Sequence, residues 1–303
     1  MEKPTPWKEF KKHAKWKVYK PFLYIEWLSE NFVHHLSRWS IVVLLEYVGR
    51  FTILIGLITY ILEAPERERK AKEQTITKHF QAWEVINSGH GKKYSGGRKD
   101  ALDILVNDKV SLLGIDLSNA IFDSLRISAA DMRLADCRNI KLTNAIFDSV
   151  NLSYSKFDSA FILNSSISSS NLSFVSFKNS YFENFAFISS QQISHANFEN
   201  AHLFITNLRK LSLFQSDFTN AKFQIVDLDS VEFIECNLMN VDLSAIQNWQ
   251  TIKKLSYTNL YGAKFLPKGF KEFAKKKGAV FFANKQMWLD NLPSSRRFIR
   301  KRL

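Results

Sequence analysis

Cysteine is scarce in this chain of 303 residues, which contains only Cys137 and Cys236. Two widely separated thiols in so long a chain make neither a disulfide framework nor a zinc site. The sequence therefore predicts no metal, and it excludes the class of small domains held together by disulfides. Both cysteines fall on positions that the repeat described below directs inwards, so we interpret them as small buried hydrophobic residues.

Side chains arranged for catalysis are also missing. No cluster of carboxylates with His, Lys or Arg recurs on one face of the predicted fold, and the seven histidines are dispersed. The glycine-rich stretch 89–97 does not fit a phosphate-binding loop, because Gly97 and Arg98 stand where Lys and Ser or Thr are required. The first 20 residues lack the apolar stretch of a cleavable signal peptide. We expect no enzyme, no catalytic residue and no cofactor.

Net positive charge is absent from the middle of the chain, although the formal net charge is +13. By formal charges, residues 1–110 carry about +6, residues 111–244 about −5 and residues 245–303 about +12. A basic groove for nucleic acid along the central part is therefore excluded. The sequence argues against nucleic acid as a partner.

One long apolar run is present, at residues 41–62 (IVVLLEYVGRFTILIGLITYIL). As a helix it would span about 33 Å, close to the ~30 Å hydrocarbon core of a bilayer. Glu46 and Arg50 interrupt the run, but their spacing of four residues places them on one helix face, where they can neutralise each other. Two other interpretations remain: the pair faces a second helix in a homo-oligomer, or the segment is buried in a soluble interface.

The residues on either side of this apolar segment indicate how it would lie in a membrane. Upstream, the region 1–40 is basic and aromatic, and residues 21–35 are typical of a helix lying in the membrane interface. Downstream, residues 63–110 predict a polar helical neck that the glycine-rich loop interrupts. More basic residues follow the run closely than precede it, which places the C-terminal part in the cytoplasm. Counting the more distant N-terminal lysines reverses that balance.

A period of five residues begins at Leu112 and continues to Leu243, over about 27 units. Each unit has a large apolar residue at its centre and a small or apolar residue two positions earlier. Inward positions separated by one outward position are typical of an extended strand. A period of five fits neither a straight strand nor a helix, so the chain must turn in every unit and coil into a polygonal stack. The 26 phenylalanines supply large side chains for such a core.

Segments such as NAIFDS, SDFTNAKF and CNLMNVDLS resemble the A(D/N)LXX signature of the pentapeptide-repeat family. The resemblance implies a mainly β fold, a right-handed quadrilateral parallel β-helix with four pentapeptides per coil and nearly seven coils, over residues 111–244. The flanking stretches QAWEVINSGHG and NLYGAKFLPKGFKEFAKKKGAV are similar to a membrane-associated bacterial branch of that family. We therefore expect an N-terminal helical membrane anchor and neck in front of the β-helix.

The period of five slips once. Phe185 takes the small-residue position directly before Phe187, and two phenylalanines on one edge overfill a core sized for one large and one small residue. One residue is inserted immediately afterwards, which predicts a bulge or small loop at Ser189, Ser190, Gln191 and Gln192. A second interpretation is that this bulge recognises a partner.

Residues 245–303 predict a cap and a basic tail. A short insertion around residues 249–255 is followed by a helix at residues 270–277, which would cover the open end of the stack. The tail carries five basic side chains at its end: Arg296, Arg297, Arg300, Lys301 and Arg302. We interpret it as solvated, as attracted to the anionic cytoplasmic leaflet, or as a contact for nucleic acid.

These observations predict a non-enzymatic scaffold with a single span in a bacterial inner membrane. Its cytoplasmic β-helix would present polar ladders to an unidentified protein partner. The gyrase-protecting members of the family imply a different function, that of a topoisomerase-binding DNA mimic, but such a mimic needs a strongly acidic body. Two further hypotheses are a carbohydrate-active β-helix enzyme and a component of membrane signalling or stress responses.

Overall fold

The structure, a computed structural model, describes residues 5–13, 20–37, 39–89, 97–188 and 192–294. It divides into two units, Met1–Thr75 and Ile76–Leu303. The basic tail and most of the slip segment lie outside the described residues, as does most of the glycine-rich loop.

The first unit is helical. It contains α1 (Trp7–His13), α2 (Lys20–Leu36), α3 (Ser40–Leu62) and the beginning of α4 (Ala64–Ser88). The ring of Trp7 lies 5.2 Å from that of Tyr24 and 5.6 Å from that of Trp27, so aromatic contacts join α1 to α2. Within α3, residues Leu44–Leu62 are long and apolar enough to cross a membrane, and none of that stretch is buried.

The second unit begins with helices that close one end of the core. The last turns of α4 and helix α5 (Arg98–Asn107) contribute buried apolar side chains that join the same cluster as the first coil: Ala82, Ile86, Ala101, Leu102 and Leu105. Lys78 Nζ lies 2.8 Å from Asp108 Oδ2, which ties α4 to the end of α5. The apolar end of the coil is therefore covered.

Short parallel strands build the rest of this unit. Their bounds are β1 (Ile121–Asp123), β2 (Arg126–Ser128), β3 (Lys141–Thr143), β4 (Ile146–Asp148), β5 (Phe161–Leu163), β6 (Ser166–Ser168), β7 (Tyr181–Ile188), β8 (Gln192–Ser194), β9 (His202–Asn207), β10 (Ser212–Phe214), β11 (Lys222–Asp227), β12 (Glu232–Ile234), β13 (Asp242–Gln247) and β14 (Lys254–Ser256).

The strand register shows how the chain coils. Phe122 pairs with Leu142, and Leu142 pairs with Ile162, so equivalent residues are 20 positions apart. Four pentapeptides therefore complete one coil, and about seven coils stack on one another. This confirms the predicted parallel β-helix with four units per coil.

The register lengthens twice. Tyr181 pairs with His202, one residue more than in the earlier coils, so the extra residue lies between β7 and β8. Glu232 pairs with Lys254, and the two further residues are taken up near the 3-10 turn Trp249–Thr251. The ladder continues beyond the expected boundary at residue 244, as far as the pairing of Asn259 with Val280. The insertion interrupts the period of five, and repeat-like spacing returns in the sequence at Leu260 and Phe265.

A column of phenylalanines fills much of the core. The ring centroids of Phe157 and Phe177 are 5.2 Å apart, those of Phe177 and Phe198 are 5.1 Å apart, and those of Phe198 and Phe218 are 4.7 Å apart. All four side chains are at most 1% exposed. Each coil therefore places its large residue on the equivalent residue of the next coil, which excludes water along the axis.

The small-residue positions hold alanine, serine or another apolar residue such as Val150 or Val175. Where serine takes the position, its hydroxyl group bonds to the backbone: Ser165 Oγ donates to Leu163 O and accepts from Ala145 N at 2.8 Å. Buried hydroxyl groups are thus satisfied, as a closed core requires. Cys137 and Cys236 are also buried, and burial raises the pKa of both thiols, that of Cys236 to about 12.

Phe185 and Phe187 are both accommodated inside the core. Their ring centroids are 4.8 Å apart at an interplanar angle of 77°, an edge-to-face contact, and both side chains are buried. Phe182 packs against Phe185 at 5.1 Å. Of the segment Ser189–Gln192, only the backbone of Gln192 lies within the described residues.

The other end of the core is capped by helix α6 (Phe270–Lys276). Phe270 and Ala274 are buried, and Trp249 packs edge-to-face against Phe270 at 5.5 Å. Gly278 follows with φ +96°, a conformation that glycine adopts readily. This confirms the predicted capping helix. One more helix, α7 (Lys285–Asp290), follows the cap and was not predicted.

We expect Phe177→Ala to lower the free energy of unfolding of the β-helix by about 3–5 kcal/mol, because it leaves a cavity in the phenylalanine column. Chemical denaturation followed by circular dichroism measures the change. Phe161→Ala is the matched control, since Phe161 is 38% exposed and its loss should cost clearly less. Equal losses in the two variants would contradict the assignment of the column as the main core.

Candidate functional site

Every coil turns at residues with a left-handed backbone. Among the described residues, the second residue after most central apolar residues has a φ between about +46° and +62°, for example Asn119 at 58°, Tyr154 at 62° and Ser169 at 46°. This conformation crowds the Cβ atom of most residues, whereas asparagine tolerates it. The corner positions therefore favour asparagine over residues with bulkier side chains.

One column of corners follows that preference and forms an asparagine ladder. Its hydrogen bonds join successive coils: Asn139 Nδ2 donates to Asn119 Oδ1 at 3.2 Å, and Asn220 Nδ2 donates to Asn200 Oδ1 at 3.1 Å. The ladder consists of Asn119, Asn139, Asn179, Asn200, Asn220 and Asn240, with Ser159 within it. Local stability explains this column completely.

A second column of corners does not follow the preference. We call Leu134, Tyr154, Phe174 and His195 the aromatic column; all four have φ between 58° and 62°. The Tyr154 and Phe174 rings stack at 4.7 Å and 3°, and the Phe174 and His195 rings stack at 4.4 Å and 14°. Leu134 is 59% exposed, Tyr154 52% and Phe174 43%. Large apolar side chains are thus displayed to solvent.

The aromatic column carries a conformational cost. A left-handed backbone costs most residues roughly 1–2 kcal/mol relative to the right-handed one, and stacking returns about 0.5–1.5 kcal/mol per aromatic pair. The exposed ring edges gain nothing in the folded chain. Strained, exposed apolar residues on a rigid scaffold indicate a binding surface.

The same line of corners continues to residues that bond to a later segment of the chain. Its next members are Gln215, Glu235 and Tyr257, and residues 282–294, which we call the strap, bond to all three, although the Tyr257 side chain stays 43% exposed. Trp288 Nε1 donates to Tyr257 O at 2.8 Å, and Gln215 Nε2 donates to Ser294 Oγ at 2.7 Å. The Ser294 hydroxyl group and backbone N–H also donate to the Glu235 carboxylate. The strap is therefore fixed to the line at three successive coils.

Electrostatic contacts and burial hold the strap as well. Lys285 Nζ lies 2.6 Å from Asp217 Oδ2, and the Trp288 and Leu292 side chains are buried. A cleft of about 540 Å³ remains between the strap and the coils, lined by residues that include His195, Asp217, Glu235 and Lys285. Of the carboxylates in this lining, Asp217 pairs with Lys285, Glu235 accepts from Ser294, and Asp290 accepts from Gln286.

The sequence-predicted sites fall elsewhere. Arg50 Nη2 lies 2.7 Å from Glu46 Oε1 on α3, so the two charges pair within one helix, and a second helix in a homo-oligomer stays a prediction. The cluster from Arg296 to Arg302 lies outside the described residues, so its role stays a prediction. A recognition role for the slip segment also stays a prediction.

Sequence reasoning missed both the aromatic column and the strap. The signal for the column was present: bulky apolar residues recur every 20 positions at 134, 154 and 174, where other units carry asparagine or serine. The strap had no such signal, because its contacts join residues far apart in the chain, such as Gln215 and Ser294.

No protein-family model matches the chain, and no curated protein matches it. Solved structures that it resembles are pentapeptide-repeat proteins or contain that repeat. HetL from the cyanobacterium Nostoc sp. strain PCC 7120, involved in regulating heterocyst differentiation, is 16% identical over 49% of this chain and 81% of its own, with a TM-score of 0.22. QnrB1, a plasmid-mediated fluoroquinolone resistance protein, is 17% identical over 57% and 82%, with a TM-score of 0.30. Rfr23 from the cyanobacterium Cyanothece 51142 is 13% identical over 52% and 91%, with a TM-score of 0.21.

We expect Trp288→Ala to release the strap. Loss of a buried indole costs about 3 kcal/mol, which corresponds to about a hundredfold faster amide hydrogen exchange in the local opening of residues 282–294. Trp288→Phe keeps the ring and removes one hydrogen bond worth about 1 kcal/mol, so exchange should rise only severalfold. Exchange that stays unchanged in the strap, or rises equally throughout the coils, would contradict this assignment.

Proposed function

We propose that this pentapeptide-repeat β-helix is a non-enzymatic scaffold, anchored to a membrane by α3, and that its aromatic column binds a partner protein. The observation that carries the binding role is the exposed stack of Tyr154, Phe174 and His195 at left-handed corners. Such side chains do not serve the fold, because asparagine serves the same position better in the neighbouring ladder. They supply large, rigid contact area, as aromatic residues do in protein interfaces.

The properties of α3 support the anchor. Nineteen residues rising 1.5 Å each cover about 28 Å, the thickness of a hydrocarbon core. Trp39 lies before the helix and Tyr60 near its end, where interfacial aromatic residues are expected. The ion pair of Glu46 and Arg50 reduces the cost of carrying two charges into lipid.

The basic residues that follow α3 support a cytoplasmic β-helix. Arg67, Arg69, Lys70 and Lys72 lie in the first turns of α4. Each pairs with a glutamate four residues away, but acidic residues contribute little to membrane orientation. The proposed location is therefore the inner membrane of a bacterium, which the protein would cross once.

The chemistry of the described residues supports a scaffold over an enzyme. Both thiols are buried with raised pKa, which removes them as nucleophiles. Many polar residues on the coil surface bond to equivalent residues of the next coil, as Asn184 Nδ2 does to Asn164 Oδ1 at 3.0 Å. These ladders present hydrogen-bonding groups in a fixed, flat array that suits recognition of another surface.

The anchor is tested by membrane extraction. We expect the full chain to resist alkaline carbonate, and the chain without residues 41–62 to be soluble. Leu54→Asp with Ile58→Asp should also weaken extraction resistance, because each charge costs about 2.5–3.5 kcal/mol in lipid. Ile76→Asp is the matched control, an exposed apolar residue outside α3. Recovery of the intact protein in the soluble fraction would overturn the anchor.

The partner surface is tested by cross-linking in intact membranes followed by capture of the chain. Tyr154→Asn with Phe174→Asn should abolish a cross-linked product that the original chain gives, because it removes the stacked rings. Ile205→Asn with Ile225→Asn is the matched control, since both isoleucines are left-handed corner residues with about 40% exposure on another column. A product that persists equally in both variants would place the binding surface elsewhere on the coils.

A further inference from the structure

The strap shows what kind of segment the line of corners accepts. Helix α7 is capped at its start by Asn284, whose side chain accepts from the backbone N–H of Gln286 at 2.7 Å. Trp288 and Leu292, four residues apart, are buried, whereas Met287 is 57% exposed. The strap is therefore a short amphipathic segment that turns an indole and a leucine away from solvent.

Trp288 bonds to the backbone carbonyl of Tyr257, a left-handed corner, and the coils themselves leave such carbonyls unused. In residues 151–155 the carbonyls of the other residues all accept backbone N–H groups: Asn151 O from Met132, Leu152 O from Ser155, Ser153 O from Leu134 and Ser155 O from Ser176. Within the described part of the chain, no group donates to the carbonyl of Tyr154, or to those of Phe174 and His195. The corners of the aromatic column thus keep an unused acceptor in each coil.

These acceptors restrict what can cover the column. Docking of a purely apolar side chain would take water away from a corner carbonyl and leave it without a donor, which opposes binding. A tryptophan avoids this loss, because its large ring is apolar and its Nε1–H is a hydrogen-bond donor. Trp288 makes this contact on the same line of corners, at 2.8 Å from Tyr257 O.

Several charged groups beside the column are engaged with their neighbours. Lys178 Nζ lies 2.9 Å from Glu199 Oε2, and the Asp158 carboxylate accepts from the Ser176 hydroxyl group. A segment that docks here would gain little by pairing with them, since they lie near the surface and already have partners. Binding therefore depends more on the rings and the corner carbonyls than on charge.

The strap and the aromatic column are adjacent parts of one surface. The next corner after Gln215, to which Ser294 bonds, is His195. His195 stacks on Phe174 at 4.4 Å, and it also lines the cleft of about 540 Å³ beside Trp288. The interface that the strap makes with the corners is therefore continuous with the exposed rings.

We infer that the partner segment is a short amphipathic helix with a tryptophan, which packs its indole against Tyr154 and Phe174 and donates to a corner carbonyl. The inference rests on the proposed partner surface and names the chemistry of its occupant. Because the rings of Tyr154 and Phe174 stack face to face, their edges point outwards and favour the face of another aromatic ring. The indole of the partner supplies that face.

The test measures binding of a synthetic peptide with the sequence of residues 282–294 to the full-length protein in detergent micelles. Fluorescence anisotropy of a label on the peptide follows binding, and empty micelles are the blank. We expect Tyr154→Asn with Phe174→Asn to weaken binding about tenfold or more, because it removes the rings. Asparagine suits the left-handed corner, so this variant keeps the fold and the carbonyls. Ile205→Asn with Ile225→Asn should leave the dissociation constant unchanged.

Changes in the peptide separate the ring from the donor. Benzothienylalanine in place of Trp288 keeps the two fused rings and replaces the N–H by sulfur. It should weaken binding about fivefold, the loss expected for one hydrogen bond. Trp288→Ala in the peptide removes both contacts and should weaken binding about tenfold or more. Equal affinity of the original and the benzothienylalanine peptide would overturn the inference.

Two further measurements decide between occupants. Amide hydrogen exchange of the protein's own strap should stay unchanged, and faster exchange there would show that the peptide replaces the strap, which contradicts the inference. Dimers that the peptide dissociates would make the occupant a second copy of the chain and contradict it as well. If no peptide binds while the cross-linked product in membranes still depends on Tyr154 and Phe174, the partner surface stands and the tryptophan is wrong.

Discussion

The stacking of equivalent residues in successive coils is the constraint on which the rest of the second unit depends. Leu152 N donates to Asn171 O at 2.9 Å, and bonds of this kind join coil to coil along every face. Because the backbones are locked at this spacing, each inward side chain must pack on its equivalent 20 residues away. The phenylalanine column from Phe157 to Phe218 is the clearest product of that constraint.

The same constraint aligns the corners of successive coils. A left-handed corner in each pentapeptide closes the coil, and the register places every corner on the one below. In the asparagine ladder this alignment is used for hydrogen bonds, as between Asn220 and Asn200. In the aromatic column it produces a stack of exposed rings that none of the single units would form. The left-handed backbone at Tyr154 and Phe174 is one reason why we propose a binding surface there.

The ends of the coil need other solutions, because a stack of strands has two apolar ends. Leu102 and Leu105 of α5 close one end, and Phe270 with Trp249 closes the other. The chain beyond the second cap then returns along the coils instead of leaving them. Trp288, Lys285 and Ser294 hold this return with an indole, an ion pair and hydrogen bonds. The cap and the strap thus form one continuous segment, residues 270–294, that packs against the coils.

The period of five by itself determined a polygonal coiled stack and its buried residues, because one local rule repeats and each repeat needs only its neighbours. The four sides of the coil were implied by the resemblance to the pentapeptide-repeat family. The capping helix was equally visible, since Gly278 ends it and its apolar residues recur at helical spacing. The sequence indicated an end of the β-helix at residue 244, because the insertion around Trp249 breaks the period of five. Hydrogen bonding across coils continues beyond that residue. Only the tertiary structure decided that Tyr154, Phe174 and His195 form one stack, and that Ser294 lies on Gln215. Those contacts join residues 20 to 79 positions apart. No local sequence pattern determines where a later segment of the chain packs against the coils.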